Sequence, residues 1–320
     1  MKKEKFVLVF DIGSSHIRTM IAGRGVNNTF NIKGCREVEY DGFYEGKFLK
    51  QEKLSYIFEK LLQELDVSSQ GISKVYIGVP SEFSSVRTTD ASVNLGDRRK
   101  IKKSDIDSLF YMASEKAKNA DALVVSVNPI NYILDDGRQT LSPVGENATS
   151  LTAKLSIIYA DKDYIELFNS ILSGFNFSSV EYISDPLAQA MFVVPKEKRE
   201  DLALLVDSGD LTTSIAFVKG DGLVGLTSFA RGGGFITNDL AEAFDLSMGE
   251  ADRLKKMIVL SLKGKQNDFY ELPVEGGKVE KINLITAGEV ASYRIEELAQ
   301  VISKCCQMFA NEYISYLPVY

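Results

Sequence analysis

Two short stretches of this 320-residue chain hold side chains suited to phosphate chemistry. In Asp11-Ile-Gly-Ser-Ser15 and in Asp207-Ser-Gly-Asp-Leu211 a carboxylate ends an apolar run and glycine follows two residues on, as Gly13 and Gly209. Hydroxyls sit in or just after each turn, as Ser14 and Ser15 and as Thr212 and Thr213. Turn amides and hydroxyls offer donors to phosphate oxygens, and glycine admits close backbone approach at φ values that other residues resist. A carboxylate at a strand end can hold a water on Mg2+. One Asp-x-Gly hairpin is a common turn. Two of them, each opening an α/β half, form an internal echo that points to a clamp on a nucleoside triphosphate.

Other residues fit that chemistry. Arg231-Gly232-Gly233-Gly234 precedes a helical pattern, where free N–H groups and the helix dipole suit a phosphate. The same glycines also fit a flexible turn with Thr237 or Asn238 as the cap. Asp252 and Lys255 stand at i and i+3 on a helix, alone a surface ion pair worth about 0.2–0.5 kcal/mol.

The elements that must position these groups follow from periodicity. Phe6–Phe10 reads as a buried strand, followed by strands over 17–22 and about 29–35. Leu54, Ile57, Phe58, Leu61, Leu62 and Leu65 form one apolar stripe on a helix over 51–65. Residues 74–79 form a strand closed by Pro80. The stretch 80–160 reads as an inserted α+β unit. It has a Thr/Val-rich alternating strand over 84–95 and a helix capped by Ser104 with Asp107 in its first turn. Strands at 123–127, 131–134 and 150–159 complete it. The basic run 98–103 is a solvated surface or a partner site. A helix through Tyr164 and Leu172, with Gly174 at C′, leads to a strand near 180–183 and a helix opened by Asp185-Pro186. The charged stretch 196–201 marks the best boundary. The second half restarts with strands at 202–206 and 212–219, and a helix of about 290–315 precedes an apolar strand opening at Tyr316.

Composition narrows the function. With 45% hydrophobic and 25% charged residues the chain is globular, and its net charge of −7 argues against a broad grip on nucleic acid. Three cysteines without zinc spacing and a single histidine leave little for a metal centre and suit a reducing compartment. The charged start Met1–Lys5 is followed by an apolar run too short for a signal peptide, so the expected location is cytoplasmic.

In order, Asp11-Ile-Gly-Ser-Ser-His-Ile-Arg18, Asp185-Pro-Leu-Ala-Gln-Ala190, Asp207-x-Gly-x-x-Thr-Thr213 and Gly232-Gly-Gly-x-x-Thr-x-Asp-Leu-Ala241 resemble the motifs of the actin-like ATPase superfamily. Within it the chain resembles the FtsA family of bacterial cell-division proteins along essentially its whole length. The resemblance implies an α/β, ribonuclease H-like fold of two lobes with an SHS2-type subdomain, 1C, inserted at 80–159. The first lobe, subdomain 1A, would comprise 1–79 and 160–198. Subdomain 2A would comprise 199–235 and 290–320, and subdomain 2B 236–289. It also implies ATP and Mg2+ bound between the lobes, and head-to-tail self-association. The partners implied are the tubulin-like FtsZ, other division proteins through 1C, and the membrane at the division site. Asp11, Gly13, Ser14 and Ser15 match the first phosphate motif, and Arg18 sits where a basic group can reach a phosphate. Asp207, Gly209, Thr212 and Thr213 match the second motif, and Gly232–Gly234 the glycine turn. Asp252 with Lys255 matches the ribose and adenine helix. Asp11, Asp185 and Asp207 would position Mg2+ or water, with Asp11 and Asp207 holding the ion through water. His16, where relatives often carry Lys, reads as a hairpin-surface residue.

Two departures bear on activity. The second phosphate motif carries Asp210-Leu211 where the family favours Gly-Gly, and Ser214 where it favours an acid. A carboxylate facing phosphate at 4 Å costs roughly 1 kcal/mol in water-like screening and more when partly buried, so at most weak ATP hydrolysis is expected. The chain also stops at an apolar strand that, in the family, leads into an adenosine motif. It therefore reads as C-terminally truncated, with the amphipathic membrane helix missing. Two alternatives remain: a nucleotide-blind adaptor like the pilus-assembly protein PilM, or a superfamily ATPase or sugar kinase.

Overall fold

A computed structural model describes residues 6–44, 46–118, 121–309 and 317–320. The charged start Met1–Lys5, the expected helix end at 310–315 and Tyr316 lie outside the described residues. The chain forms two compact units: Met1–Val206 with Ser214–Ser228 and Ser315–Tyr320, and Asp207–Thr213 with Phe229–Ile314.

The first unit opens with β1 (Phe6–Ile12), β2 (His16–Arg24) and β3 (Phe30–Glu39), then the two-residue strands β4 (Phe43–Tyr44) and β5 (Lys47–Phe48). Helix α1 (Gln51–Glu64) and β6 (Lys74–Val79) follow. Alternation in β1 sends Leu8, Phe10 and Ile12 inward, all at most 2% exposed. The α1 stripe of Leu54, Ile57, Phe58, Leu61 and Leu62 is buried as its spacing requires. Phe10 stacks on Phe58 at 4.3 Å between ring centroids, fastening helix to sheet. Each such side chain contributes about 1.5–3 kcal/mol of burial.

The insertion holds β7 (Ser84–Lys100), α2 (Lys103–Ala117), β8 (Ala122–Leu134), β9 (Gln139–Thr140) and β10 (Asn147–Asp161). Its sheet runs β7-β10-β8-β9, and α2 packs on β7, β10 and β8. Leu109 and Ala113 of α2 meet Leu151, Ala153 and Leu155 in its core. The two strands expected at 123–127 and 131–134 are one strand. Its register slips at Ile130, just after Pro129, which has no N–H to give to a ladder. The start of α2 also differs from the expected Ser104 cap. The helix begins at Lys103, and Asp105 accepts from the Lys102 N–H at 2.8 Å and from both terminal nitrogens of Arg99 at 2.8 and 2.9 Å. These bonds, the Arg99 pair first, hold the Asp105 carboxyl down at about 2.

Beyond the insertion come α3 (Lys162–Leu172), β11 (Ser179–Ser184), α4 (Asp185–Val193) and α5 (Lys196–Arg199). Ser173 caps α3, so Gly174 stands at C′ as expected, though without a left-handed φ. Strand β11 completes the five-stranded sheet β11-β6-β1-β2-β3, in which β1, β6 and β11 are parallel and β2 and β3 antiparallel. A three-stranded sheet runs β12 (Ala203–Ser208), β13 (Thr213–Lys219) and β14 (Gly222–Phe229). Ala216, Val218 and Leu223 of this sheet share a core with Ala190 and Val194 and with Ile158 of β10. The β13–β14 turn docks on the insertion at its register slip. The Asp221 N–H donates to Pro129 O at 2.9 Å, and the Leu223 N–H to the buried Ser156 Oγ at 3.1 Å. Val319 forms a parallel bridge to Leu204.

The second unit continues with α6 (Gly233–Phe244), α7 (Met248–Met257), the antiparallel pair β15 (Phe269–Pro273) and β16 (Val279–Asn283), and α8 (Leu284–Phe309). Its core joins Leu240, Leu254, Leu272, Ile282 and Ala287. Helix α7 starts at a capping box, Ser247 with Glu250.

Candidate functional site

Each unit carries part of the residue set expected for phosphate, and each part is built from a tight turn. In the first unit, antiparallel pairing of β1 and β2 leaves Gly13–Ser15 as the connection, closed by a Gly13 N–H to His16 O bond of 2.9 Å. A Cβ on Gly13 would stand 2.9 Å from that same carbonyl. Its glycine serves close approach rather than left-handed φ, since φ is not positive at Gly13, Gly209, Gly232, Gly233 or Gly234. Ser15 Oγ lies 2.9 Å from His16 Nδ1, and His16 Nε2 lies 3.4 Å from Glu37 Oε1. His16 is thus tied to its hairpin and to β3.

Arg18 faces Glu37 across β2 and β3 and holds it at 2.8 Å, with Asp11 at 3.5 Å. The guanidinium expected to reach a phosphate therefore bridges two carboxylates in this conformation. All three side chains are about half exposed, so the pairs contribute little to stability. Asp185 is the first residue of α4, whose cap is Ser184: its Oγ accepts from the Leu187 N–H at 3.4 Å. The Asp185 carboxylate packs against the Cα of Gly78, where a side chain on residue 78 would collide with it. The Gly78 carbonyl in turn accepts from the Tyr164 hydroxyl at 2.5 Å. Tyr164 is fully enclosed, and burial, then the charges of Asp185, Tyr182, Asp11 and Glu82, push its phenol well above its ordinary range. Asp11 and Asp185 thus both act on one buried hydroxyl.

In the second unit the Asp207–Thr213 turn is closed by the Gly209 N–H to Thr212 O bond of 2.9 Å. Thr213 Oγ1 donates to Arg231 O at 2.6 Å and lies 3.0 Å from Ser208 Oγ, which anchors the turn beside the glycines. Helix α6 begins at Gly233 with Gly232 as its cap, so Thr237 and Asn238 lie inside the helix rather than at its start. The Gly233 and Gly234 N–H groups donate to Gly209 O and Asp210 O, each at 2.8 Å. A Cβ at Gly232 would stand 2.5 Å from both of those carbonyls. Those glycines let the two turns lie against each other, and the amides expected for phosphate bond the neighbouring turn. On α7, Lys255 Nζ contacts Asp252 at 2.9 Å and reaches back to Thr237 Oγ1 at 2.7 Å and Gly233 O at 3.3 Å. Asp252 also holds Lys256 at 2.6 Å, and the lysines keep its carboxyl low against the opposing effect of partial burial.

Among the described residues no group of three or more His, Cys, Asp or Glu could cage a metal ion. Mg2+ needs no such cage when waters and substrate phosphates fill most of its shell. Sequence reasoning missed Glu37, Gly78 and Tyr164. Gly78, a small residue at the end of a buried strand, carried the one local signal.

Comparison with known proteins agrees with the fold. Residues 84–159 match the family model described as the SHS2 domain inserted in FTSA. Over 309 residues the chain is 20% identical to Cell division protein FtsA of Bacillus subtilis, covering 95% of this chain and 70% of the relative. The Escherichia coli K12 protein of the same name is 21% identical over 305 residues, with 94% and 72% covered. Among solved structures, the PilM-PilN type IV pilus biogenesis complex aligns with a TM-score of 0.57 at 15% identity, covering 97% of this chain and 78% of that one. MreB5 of Spiroplasma citri bound to AMPPNP aligns with a TM-score of 0.52 at 9% identity, covering 94% and 78%. These likenesses, with the sheet order above, define an actin-like fold carrying an SHS2 insertion. The similarity to FtsA is not confined to the insertion, since these relatives align with nearly the whole of this chain.

Proposed function

We propose that this chain is a cell-division scaffold that binds ATP with Mg2+ through its phosphate turns, assembles with its own copies and engages an FtsZ-like tubulin homologue. The observation that carries the reading is the insertion between β6 and α3 of an actin-like body, which matches the model described as the SHS2 domain inserted in FTSA. When bound, Mg2+ would neutralise phosphate charge. Asp11 and Asp185 of the first unit and Asp207 of the second are the carboxylates we assign to its waters, and Ser14, Ser15, Thr212 and Thr213 are the hydroxyl donors. The insertion is the surface assigned to self-association and to further division proteins.

The FtsZ-like partner is assigned to the second unit, where a cavity of about 460 Å³ opens beside α8. Val259, Leu260, Leu262 and Ile285 line it while remaining 38–53% exposed, and Glu289 and Glu296 stand at its rim. An exposed apolar groove edged by charge suits an extended or helical peptide. No helix among the described residues is long and apolar enough to cross a membrane.

Calorimetric titration with Mg-ATP tests the nucleotide reading: Asp11→Ala with Gly233→Ala should abolish binding, and unchanged affinity would remove it. Pelleting with FtsZ-like filaments tests the partner, and Leu260→Asp should release the chain. The engaged Gly233 and Gly234 amides favour a second reading, a nucleotide-blind adaptor. That reading expects no thermal shift with saturating Mg-ATP, where a true site should add roughly 2–3 kcal/mol.

A further inference from the structure

Resting on the nucleotide reading above, we infer that Asp210 sets the nucleotide affinity of this chain, because its turn already fills the mouth of α6 that a phosphate would have to enter. Helix α6 has no side-chain cap and no acid in its first turn. Its needs are met from the Asp207–Thr213 turn. Gly209 O and Asp210 O take the Gly233 and Gly234 N–H groups, and the half-buried Asp210 carboxylate lies alongside. A Cβ on Gly234 would stand 2.9 Å from Asp210 Oδ1 and 3.2 Å from its Cγ, which fixes that carboxylate against the first helical turn. Lys255, whose Nζ reaches this first turn, is bonded to Asp252, Thr237 and Gly233 O. An incoming phosphate therefore meets a fixed negative charge and must displace two main-chain carbonyls to gain the same N–H donors. A neutral residue at 210 removes the repulsion without altering the helix. This one position then separates an FtsA-like body that takes nucleotide readily from one that takes it weakly.

The test is calorimetry with Mg-ATP on the unaltered chain and on D210N, D210S and D210E, each first checked for cooperative melting. D210N and D210S should bind at least tenfold tighter than the unaltered chain, a gain of about 1.4 kcal/mol, while D210E stays weak. Equal affinity in all four would overturn the inference and leave the nucleotide reading intact, with Asp210 only a structural cap. Binding by none of them would remove the nucleotide reading and the inference with it. The unaltered chain supplies a check that depends on no variant. Added salt screens like-charge repulsion, so its Mg-ATP affinity should rise with salt, and a fall would count against the inference.

Discussion

Replacing Gly220 with alanine should destabilise the first unit far more than the same change at Gly137. Both glycines have left-handed φ, +61° and +83°, so both replacements carry the backbone penalty of roughly 1–2 kcal/mol. They differ in space. A Cβ at Gly137 meets nothing within 4 Å, whereas at Gly220 it collides with the Ile130 carbonyl, 2.8 Å from its carbon. Backbone cannot rotate aside as a side chain can, so the turn must lift, adding about 1–3 kcal/mol of overpacking. Lifting also strains the Gly220 N–H to Arg199 O bond of 2.7 Å and the Asp221 N–H to Pro129 O bond of 2.9 Å, each worth about 1 kcal/mol. The sum is about 3–6 kcal/mol for Gly220→Ala against about 1–2 for Gly137→Ala. Urea melts followed by far-UV circular dichroism measure both. A difference below about 1 kcal/mol would refute the docking of this turn on the insertion.

Three further outcomes can be checked. Ser156→Ala strips the acceptor from the Leu223 N–H at a fully buried position and should cost about 1–3 kcal/mol, with faster hydrogen exchange at Leu223. The Asp105 carboxyl is depressed to about 2 in the folded chain, below its ordinary 3.8, so its contribution is present above about pH 4 and lost as pH falls through about 2. Arg99→Ala should lower the melting temperature at neutral pH and flatten its fall between those limits; an unchanged slope would rule out the pairing. In an alkaline absorbance titration Tyr132 and Tyr182, pushed up to about 12 by burial, should ionise late, and Tyr164 only on unfolding. Early titration of all tyrosines would contradict the enclosure of Tyr164.

Local chemistry made much of this fold legible. The run Phe6–Phe10, the α1 stripe and the Asp185-Pro186 helix start depend on neighbours in sequence, and all three stand as read. What failed was set from a distance. The sequence reads as two strands, 123–127 and 131–134, yet β10 pairs on both sides of Pro129 and the slip is absorbed at Ile130. Ser104 is a good cap by type, but Arg99 on β7 steadies Asp105 instead, and the helix starts two residues earlier, with Lys102 as its cap. The site divides the same way. Asp11, Asp185, Asp207 and the glycines were identifiable as types in sequence. Glu37 against Arg18 depends on strand register, Tyr164 against Gly78 on packing across 86 positions, and the Gly233 amides on a turn elsewhere in the chain.

The docked β13–β14 turn also bears on the portability of the insertion. Val86 and Ile158, at the root of β7 and β10, pack into the core shared with Ala216, Val218 and Leu223. Excised at 84 and 159, the insertion would expose that apolar root, leave Ser156 without its donor and bare the Pro129 carbonyl. A transplant that preserves its shape would have to bring the Gly220 turn along, or replace those root residues with polar ones. The insertion is thus a graft with two seams, and only the one at its chain ends is visible in the order of the sequence.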